Sequence, residues 1–291
     1  MKNIVASANK NKWSSMSGGK PPTTWAVLRT LILIWLVLII VLPVIWIVLA
    51  SFKDLPELGQ KPPTLIPHAW HLSNYSQALQ TYGFATFLRN SIFVTASATL
   101  LTLIINSMAA FAFAKYNFRG REGLFIMTLA MLMIPLQVIL IPIYQVITKL
   151  HMVNTFCGLI IPAAATPTGV FILRQYMLTI PDEIIESARI DGAGDFRIFL
   201  RIIIPLAKPA LAVVTIFSIM WRWNDFLWPL IVAQDSKFYT LPVALAILNG
   251  ELSVPYNLVL AMSVLSLLPV IIMFIFMQRQ IAQGIAQTGL K

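Results

Sequence analysis

Along this chain, uncharged apolar runs of twenty residues or more alternate with short polar segments. The alternation is coarse, run by run, and lacks the residue-by-residue switching of a strand with one wet face. A helix needs about 20 apolar residues to cross the hydrocarbon core of a bilayer. Leu31–Ala50, Ser91–Ala114, Gly123–Thr148, Met152–Leu173 and Leu252–Met277 each reach that length without Asp, Glu, Lys or Arg. Pro209–Ala233 is a sixth run, interrupted only by Arg222 and Asp225. The pattern predicts six transmembrane helices, because continuous runs of this kind differ from the short alternating segments of a membrane β-barrel. The first run is too long for the core of a secretory signal and no small-x-small site follows it, so it is expected to remain in place as a span.

This divides the chain into a tail at 1–30, a first span at 31–52, a loop at 53–85, a core of five spans at 86–277 and a tail at 278–291. The Lys and Arg then fall on two sides. The N-terminal tail, the loops after the second and fourth spans and the C-terminal tail hold fifteen; the other loops hold five. Basic residues concentrate in cytoplasmic loops, so both termini are expected in the cytoplasm.

Composition agrees: 58% of the 291 residues are hydrophobic and only 11% charged, against roughly a quarter charged in soluble domains. The net charge of +10 does not imply nucleic acid, since the basic residues are scattered through short loops without stacking aromatics between them. Cys157 stands alone and reads as an apolar filler. His68 and His71 have a gap a metal site could use, but they read as exposed loop histidines without carboxylate or Cys partners. No phosphate-binding loop is present: Gly19-Lys20 is followed by Pro21 and lacks the upstream glycine. Metalloprotease and nucleophile-elbow motifs are missing too. The chain reads as a non-catalytic membrane scaffold with neither metal nor cofactor of its own.

One loop departs from the pattern. Residues 183–205, EIIESARIDGAGDFRIFLRIIIP, carry acids at one end and bases at the other. Pro181, Asp182 and Glu183 suit the first turn of a helix, on which Ile184, Ile185 and Ala188 share a face. Asp191-Gly192 signals a turn. Gly192 and Gly194 permit a sharp bend, and Asp195 is placed to cap a second helix with the stripe Phe196, Phe199, Leu200, Ile203. The segment at about 181–205 is thus a hairpin outside the bilayer. Two roles suit it: an amphipathic rest on lipid headgroups, or a dock for another protein. Five of the chain's eleven acids lie between 182 and 195, and an anionic leaflet would repel them.

Glu186-Ser187-Ala188, Gly192, Ile202, Ile204 and Pro205 resemble the EAA loop in permease subunits of ATP-binding-cassette importers: Glu-Ala-Ala, three residues, Gly, nine residues, Ile-x-Leu-Pro. Ser187 stands where Ala is usual and Ile204 where Leu is usual. Ala188–Gly194 (ARIDGAG), Asn90-Ser91, Lys115–Gly120 (KYNFRG), Trp223–Pro229 (WNDFLWP) and the Gln-Gly tail are similar to the carbohydrate branch of that family, specifically a maltose-type permease paired with a second permease. The resemblance implies a type I importer permease fold in a bacterial inner membrane. It implies that ATP and Mg bind a separate dimeric ATPase, into which the loop docks as a coupling helix. Glu186, Ser187, Ala188, Asp191, Gly192, Ala193 and Pro205 are the expected coupling residues, with Glu186 meeting a basic group and Gly192 permitting the bend. The C-terminal tail is expected to touch the ATPase. An extracytoplasmic solute-binding protein and a carbohydrate complete the set of partners.

Polar residues inside spans are functional candidates. Asn106, Gln137, Trp223, Asn224 and Asp225 are the candidates for a solute pathway. Arg222 and Asp225 are three residues apart, a spacing that allows a pair on one helix face. The competing reading makes Trp221, Trp223 and Trp228 interface-belt residues with Arg222 snorkelling, and makes Asn106 and Gln137 partners in buried interhelical hydrogen bonds. Pro135 and Pro142 are placed to break the third span. A self-contained secondary transporter with an amphipathic hairpin is the alternative function; it would need an intramembrane ion relay, for which Asp225 alone is available.

Overall fold

The computed structural model describes residues 24–81, 83–251 and 254–288. The N-terminal tail up to residue 23, the last three residues of the C-terminal tail and the expected start of the sixth span at Leu252 lie outside the described residues. Among the described residues the structure is entirely helical. α1 runs Thr24–Ala50, followed by the one-turn α2 Leu55–Leu58 and the short α3 Ser73–Thr81. α4, Phe84–Lys115, is the long central helix. Then come α5 Arg121–Ala130, α6 Leu136–Lys149, α7 Phe156–Ile160 and α8 Pro167–Leu178. The hairpin follows as α9 Asp182–Ile190, α10 Asp195–Ile198, a π-helical turn Phe199–Ile203 and α11 Ile204–Leu206. The chain closes with α12 Lys208–Trp223, α13 Leu227–Val232, α14 Leu241–Gly250 and α15 Tyr256–Thr288.

Three helices, α1, α4 and α15, are long and apolar enough to cross a membrane unaided. The remaining predicted spans are interrupted, each for a local reason. The third bends by 106° between Met133 and Leu136, where Pro135 has no N–H to continue the ladder. Pro142, by contrast, lies inside α6 without ending it. The fourth is α7 and α8 separated by residues 161–166, which contain Pro162 and lead into Pro167. The fifth stops at Trp223 and resumes at Leu227. There Asn224 Nδ2 donates to the Met220 carbonyl at 2.8 Å and Asp225 Oδ1 accepts from Trp228 N–H at 3.3 Å.

α4 is the pillar, packed most extensively on α8 and then on α12. Its interior face is a polar ladder: Ser91, Thr95, Thr99, Thr102 and Asn106 are all buried. Spacings of three and four residues put them on one stripe. Thr99 and Ser218 of α12 share a hydrogen bond of 2.9 Å. Arg222 Nη2 donates to Thr102 Oγ1 at 2.7 Å and to the Ala163 carbonyl in the break between α7 and α8. Asn106 takes both polar groups of Thr166 at the far end of that break, donating to Oγ1 at 2.6 Å and accepting from N–H at 3.1 Å. The freed backbone of the broken span is thus satisfied by side chains, as apolar surroundings require. Near the Phe84 end, Asn90 Nδ2 donates to the carbonyls of Lys237 and Tyr239, and Ser91 Oγ accepts from Leu241 N–H.

The segment between α1 and α4 is organised around a buried Lys53–Glu57 pair 3.9 Å apart. Thr64 bridges it, donating to Glu57 Oε1 at 2.7 Å and accepting from Lys53 Nζ at 2.8 Å. Burial raises the Glu57 carboxyl, but hydrogen bonds from Thr64 and His68 N–H, with the charges of His68 and Lys53, bring it below its ordinary value. Each loop histidine has a carboxylate near it, contrary to the sequence-based expectation: His68 lies 3.7 Å from Glu57 and His71 3.9 Å from Asp54. Among the described residues no cluster of metal-binding side chains forms.

A β-carbon at Gly169 would overlap Asn106 Nδ2 and crowd Thr166 Oγ1, whereas Gly123 of α5 has nothing within 4 Å. Gly169→Ala is expected to destabilise the bundle by about 1–3 kcal/mol, the usual range for overpacking. Gly123→Ala should leave stability unchanged or slightly raised. Thermal unfolding of the two variants in detergent checks both.

Candidate functional site

The hairpin sits across the Lys115 end of α4 and is welded to it. Lys115 Nζ holds Asp182 Oδ1 at 2.6 Å and donates to the Ile180 carbonyl. Arg174 of α8 lies 3.8 Å from the Phe125 ring centre, bonds Glu122 at 2.8 Å and donates to the Phe113 carbonyl. Beneath the hairpin, Ile185, Ala188, Ile198, Phe199 and Ile203 join one apolar cluster with Ala110, Phe111 and Ala114 of α4, Leu173 and Met177 of α8, and Ala210 and Val214 of α12. Phe111 and Phe199 meet with ring centres 5.4 Å apart.

The turn between the hairpin's arms is a Schellman cap. Ala193 N–H bonds the Ala188 carbonyl at 2.9 Å and Gly192 N–H bonds the Arg189 carbonyl at 3.0 Å, with Gly192 at φ +79°. That left-handed conformation favours glycine. Gly194 has φ −71° and open space around it, so the bend depends on Gly192 alone. Gly194, not Asp195, is the N-cap of α10. Asp195 instead ties the arms together, accepting from Arg189 Nη2 at 3.1 Å and from the Tyr116 hydroxyl. These hydrogen bonds, Tyr116 first, hold the Asp195 carboxyl below its ordinary value. The bond to Asp195 in turn holds Arg189 above its own. Burial, then Asp195, raises the Tyr116 phenol.

The expected apolar faces are shifted. Ile185 and Ala188 are buried, but Ile184 is exposed; on the second arm Ile198, Phe199 and Ile203 are buried while Phe196 and Leu200 face out. The second arm contains a π-helical turn at Phe199–Ile203, and its inward face is Ile198, Phe199 and Ile203 with Ile202 half-buried. Glu186, Ser187, Asp191, Gly192 and Pro205 are exposed and Ala193 is half-buried. With Ile190, Phe196 and Ile184 among them, they present a mixed acidic and apolar outer face.

The pathway candidates are not gathered into one place. Asn106 is fully buried in its bonds to Thr166. Trp223 is buried, donates to the Ser266 carbonyl at 3.3 Å, and borders a cavity of about 350 Å³ with Thr95 and Thr99 of α4 and Met273 of α15. Asn224 and Gln137 are exposed and Asp225 half-buried. Arg222 and Asp225 do not form an ion pair: the guanidinium turns to Thr102 and Ala163 and the carboxylate to Trp228. Trp228 is likewise interior, donating to the Gly158 carbonyl at 3.0 Å, which leaves Trp221 as the exposed member of the tryptophan trio. The polar ladder on α4 was missed apart from Asn106, although its spacing of three and four residues was readable within the second apolar run.

Residues 103–287 match the family model described as binding-protein-dependent transport system inner membrane component. The arabinooligosaccharides transport system permease protein AraQ of Halalkalibacterium halodurans is 37% identical over 93% of this chain and 98% of its own length. The sn-glycerol-3-phosphate transport system permease protein UgpE of Brucella abortus is 33% identical over 89% of this chain and 95% of its own. A chain in the crystal structure of a bacterial ABC transporter involved in import of the acidic polysaccharide alginate superposes with a TM-score of 0.83. It is 26% identical and covers 89% of this chain and 99% of that one.

Gly192→Ala should cost about 1–2 kcal/mol, the penalty of a side chain in the left-handed region, and Gly194→Ala close to nothing. Hydrogen exchange over residues 188–196 should speed by roughly five- to thirtyfold in the first variant and stay unchanged in the second. Because Asp195 has a depressed value in the folded protein, its contribution is present above the ordinary carboxylate range and lost as pH falls through the lowered value. Asp195→Asn should abolish that acid-dependent loss of protection.

Proposed function

The chain belongs to the family of inner membrane components of binding-protein-dependent transport systems, and on that premise we propose that it is one permease subunit of an ATP-driven importer for a sugar or sugar-like solute. The observation that carries the reading is the hairpin. It is built as an outward extension of the apolar cluster that joins α4, α8 and α12, and it turns Glu186, Asp191 and Ile190 outward. A short rigid helix welded to three core helices transmits a rigid-body displacement instead of absorbing it.

In this reading the hairpin is the coupling helix. It docks in a cleft of a separate ATPase subunit, which holds ATP and Mg. Glu186 meets a basic group there, and Ser187, Ala188, Asp191, Gly192, Ala193 and Pro205 set its shape. Closure of the ATPase dimer moves the hairpin, and the hairpin rocks α4, α8 and α12 together. The hairpin end and both termini then face the cytoplasm, in keeping with the bias of basic residues, and the broken spans complete six crossings. A second permease supplies the other half of the pathway, and a solute-binding protein delivers from the opposite face. Relatives named for arabinooligosaccharides and for sn-glycerol-3-phosphate support a hydroxyl-rich solute. Trp223, beside Thr95 and Thr99, offers the aromatic and hydroxyl surfaces such a solute uses, and Asn224, Asp225 and Gln137 stand at helix breaks where a pathway would open.

Glu186→Lys tests the reading. It should leave the membrane complex inserted yet weaken ATPase docking by about tenfold or more, since like charges opposed at an interface cost several kcal/mol. Co-purification of the ATPase chain and solute uptake measure the two effects. Unchanged assembly with unchanged uptake would take Glu186 out of the contact.

A further inference from the structure

The segment between α1 and α4 is built inside out. Its charged pair is in the interior, with Lys53 only 2% and Glu57 5% exposed, and Ser51 and Asn74 are buried with them. Its large apolar side chains face outward: Leu55, Leu65, Ile66, Trp70 and Leu72 are each at least half exposed. Such a set on a water-facing loop is unfavourable, and contiguous apolar surface marks an interaction site.

Hydrogen bonds fix the level at which this surface lies. His71 N–H bonds the Phe52 carbonyl at 2.9 Å. Asn74 Nδ2 donates to the carbonyls of Ser51 and Lys53, one and three residues past the end of α1 at Ala50. Ser51 Oγ lies 2.6 Å from the Tyr75 hydroxyl. Asn257, the second residue of α15, donates to Asn74 Oδ1 at 2.9 Å. The segment is therefore clamped where two membrane-length helices end. Below it, α1 exposes apolar side chains along its length, with none of its most apolar window buried. The outward apolar residues follow in the chain soon after the end of that exposed helix. Trp70 packs at a tilt on Phe52, ring centres 5.1 Å apart, and tryptophan is a residue enriched at the bilayer boundary.

We propose that residues 55–72 form a foot that rests in the headgroup and upper acyl region of the leaflet at the end of the bundle opposite the hairpin. Leu65, Ile66, Trp70 and Leu72 enter the lipid. The Lys53–Thr64–Glu57 network gives the foot a rigid polar interior, so that its apolar residues stay outside. The foot fixes where α1 and α15 stop relative to the membrane surface. This does not rest on the importer reading, since it needs only that α1 and α15 span a bilayer.

Site-directed spin labels test it in the assembled complex, reconstituted in nanodiscs of phosphatidylethanolamine and phosphatidylglycerol. In a Cys157→Ser background, single labels are placed at Leu65→Cys, Ile66→Cys and Leu72→Cys. Gln77→Cys on the exposed side of α3 is the aqueous control and Leu38→Cys in α1 the lipid control. The expected result is that the three foot labels collide with oxygen several-fold more than with a water-soluble nickel chelate, as Leu38→Cys does, with Gln77→Cys reversed. Nickel accessibility like that of Gln77→Cys would overturn the proposal. So would protection from both reagents, which would show the surface covered by another protein.

Discussion

Backbone groups that leave a helix inside an apolar medium must find partners there, and this constraint shapes the protein. Three of its apolar runs are broken, and each break exposes carbonyls and N–H groups that lipid cannot satisfy. The polar face of α4 answers the central one. Thr102 and Asn106, one turn apart, hold the two ends of the interval between α7 and α8, with Arg222 reaching across from α12 to the Ala163 carbonyl. Asn106, a candidate for solute contact on sequence grounds, is thus first of all part of what allows α8 to begin where it does. The close fit of Gly169 against Asn106 belongs to the same arrangement: without a side chain there, α8 approaches α4 closely enough for the amide to reach Thr166.

From that junction, mechanical continuity runs to the hairpin. The apolar cluster under α9 and α10 is shared by α4, α8 and α12, and the ion pairs of Lys115 and Arg174 pin its edge. The outer face keeps its acids and exposed isoleucines free for contact. The hairpin is fixed on one side and exposed on the other.

Much of this was legible in the chain. The positions of the apolar runs, the turn at Asp191-Gly192 and the hairpin followed from periodicity and turn chemistry. What was not legible has physical reasons. A run such as Met152–Leu173 has the length of a span whether or not it is continuous, and hydropathy does not register that Pro162 and Pro167 interrupt it. The stripe Phe196, Phe199, Leu200, Ile203 is one of two apolar faces the segment offers at helical spacing; periodicity does not say which meets the core, and the structure buries Ile198, Phe199 and Ile203. Arg222 and Asp225 have the spacing of a pair, but a guanidinium with a free carbonyl and a hydroxyl within reach satisfies more donors there than in one contact with a carboxylate that is itself capping a helix.

The isolation of α1 bears on how the molecule is made. Its residues need nothing from the rest of the chain to be stable in lipid, and among the described residues it packs chiefly on α15. The bonds that close the core are of the opposite kind: Asn90 waits for Lys237 and Tyr239, and Thr102 for Arg222, more than a hundred residues later in synthesis. Chains emerge at about 5–20 residues per second, so for several seconds the growing core has polar groups without their partners. During that interval α1, which depends on few contacts with the rest of the chain, is already a finished element.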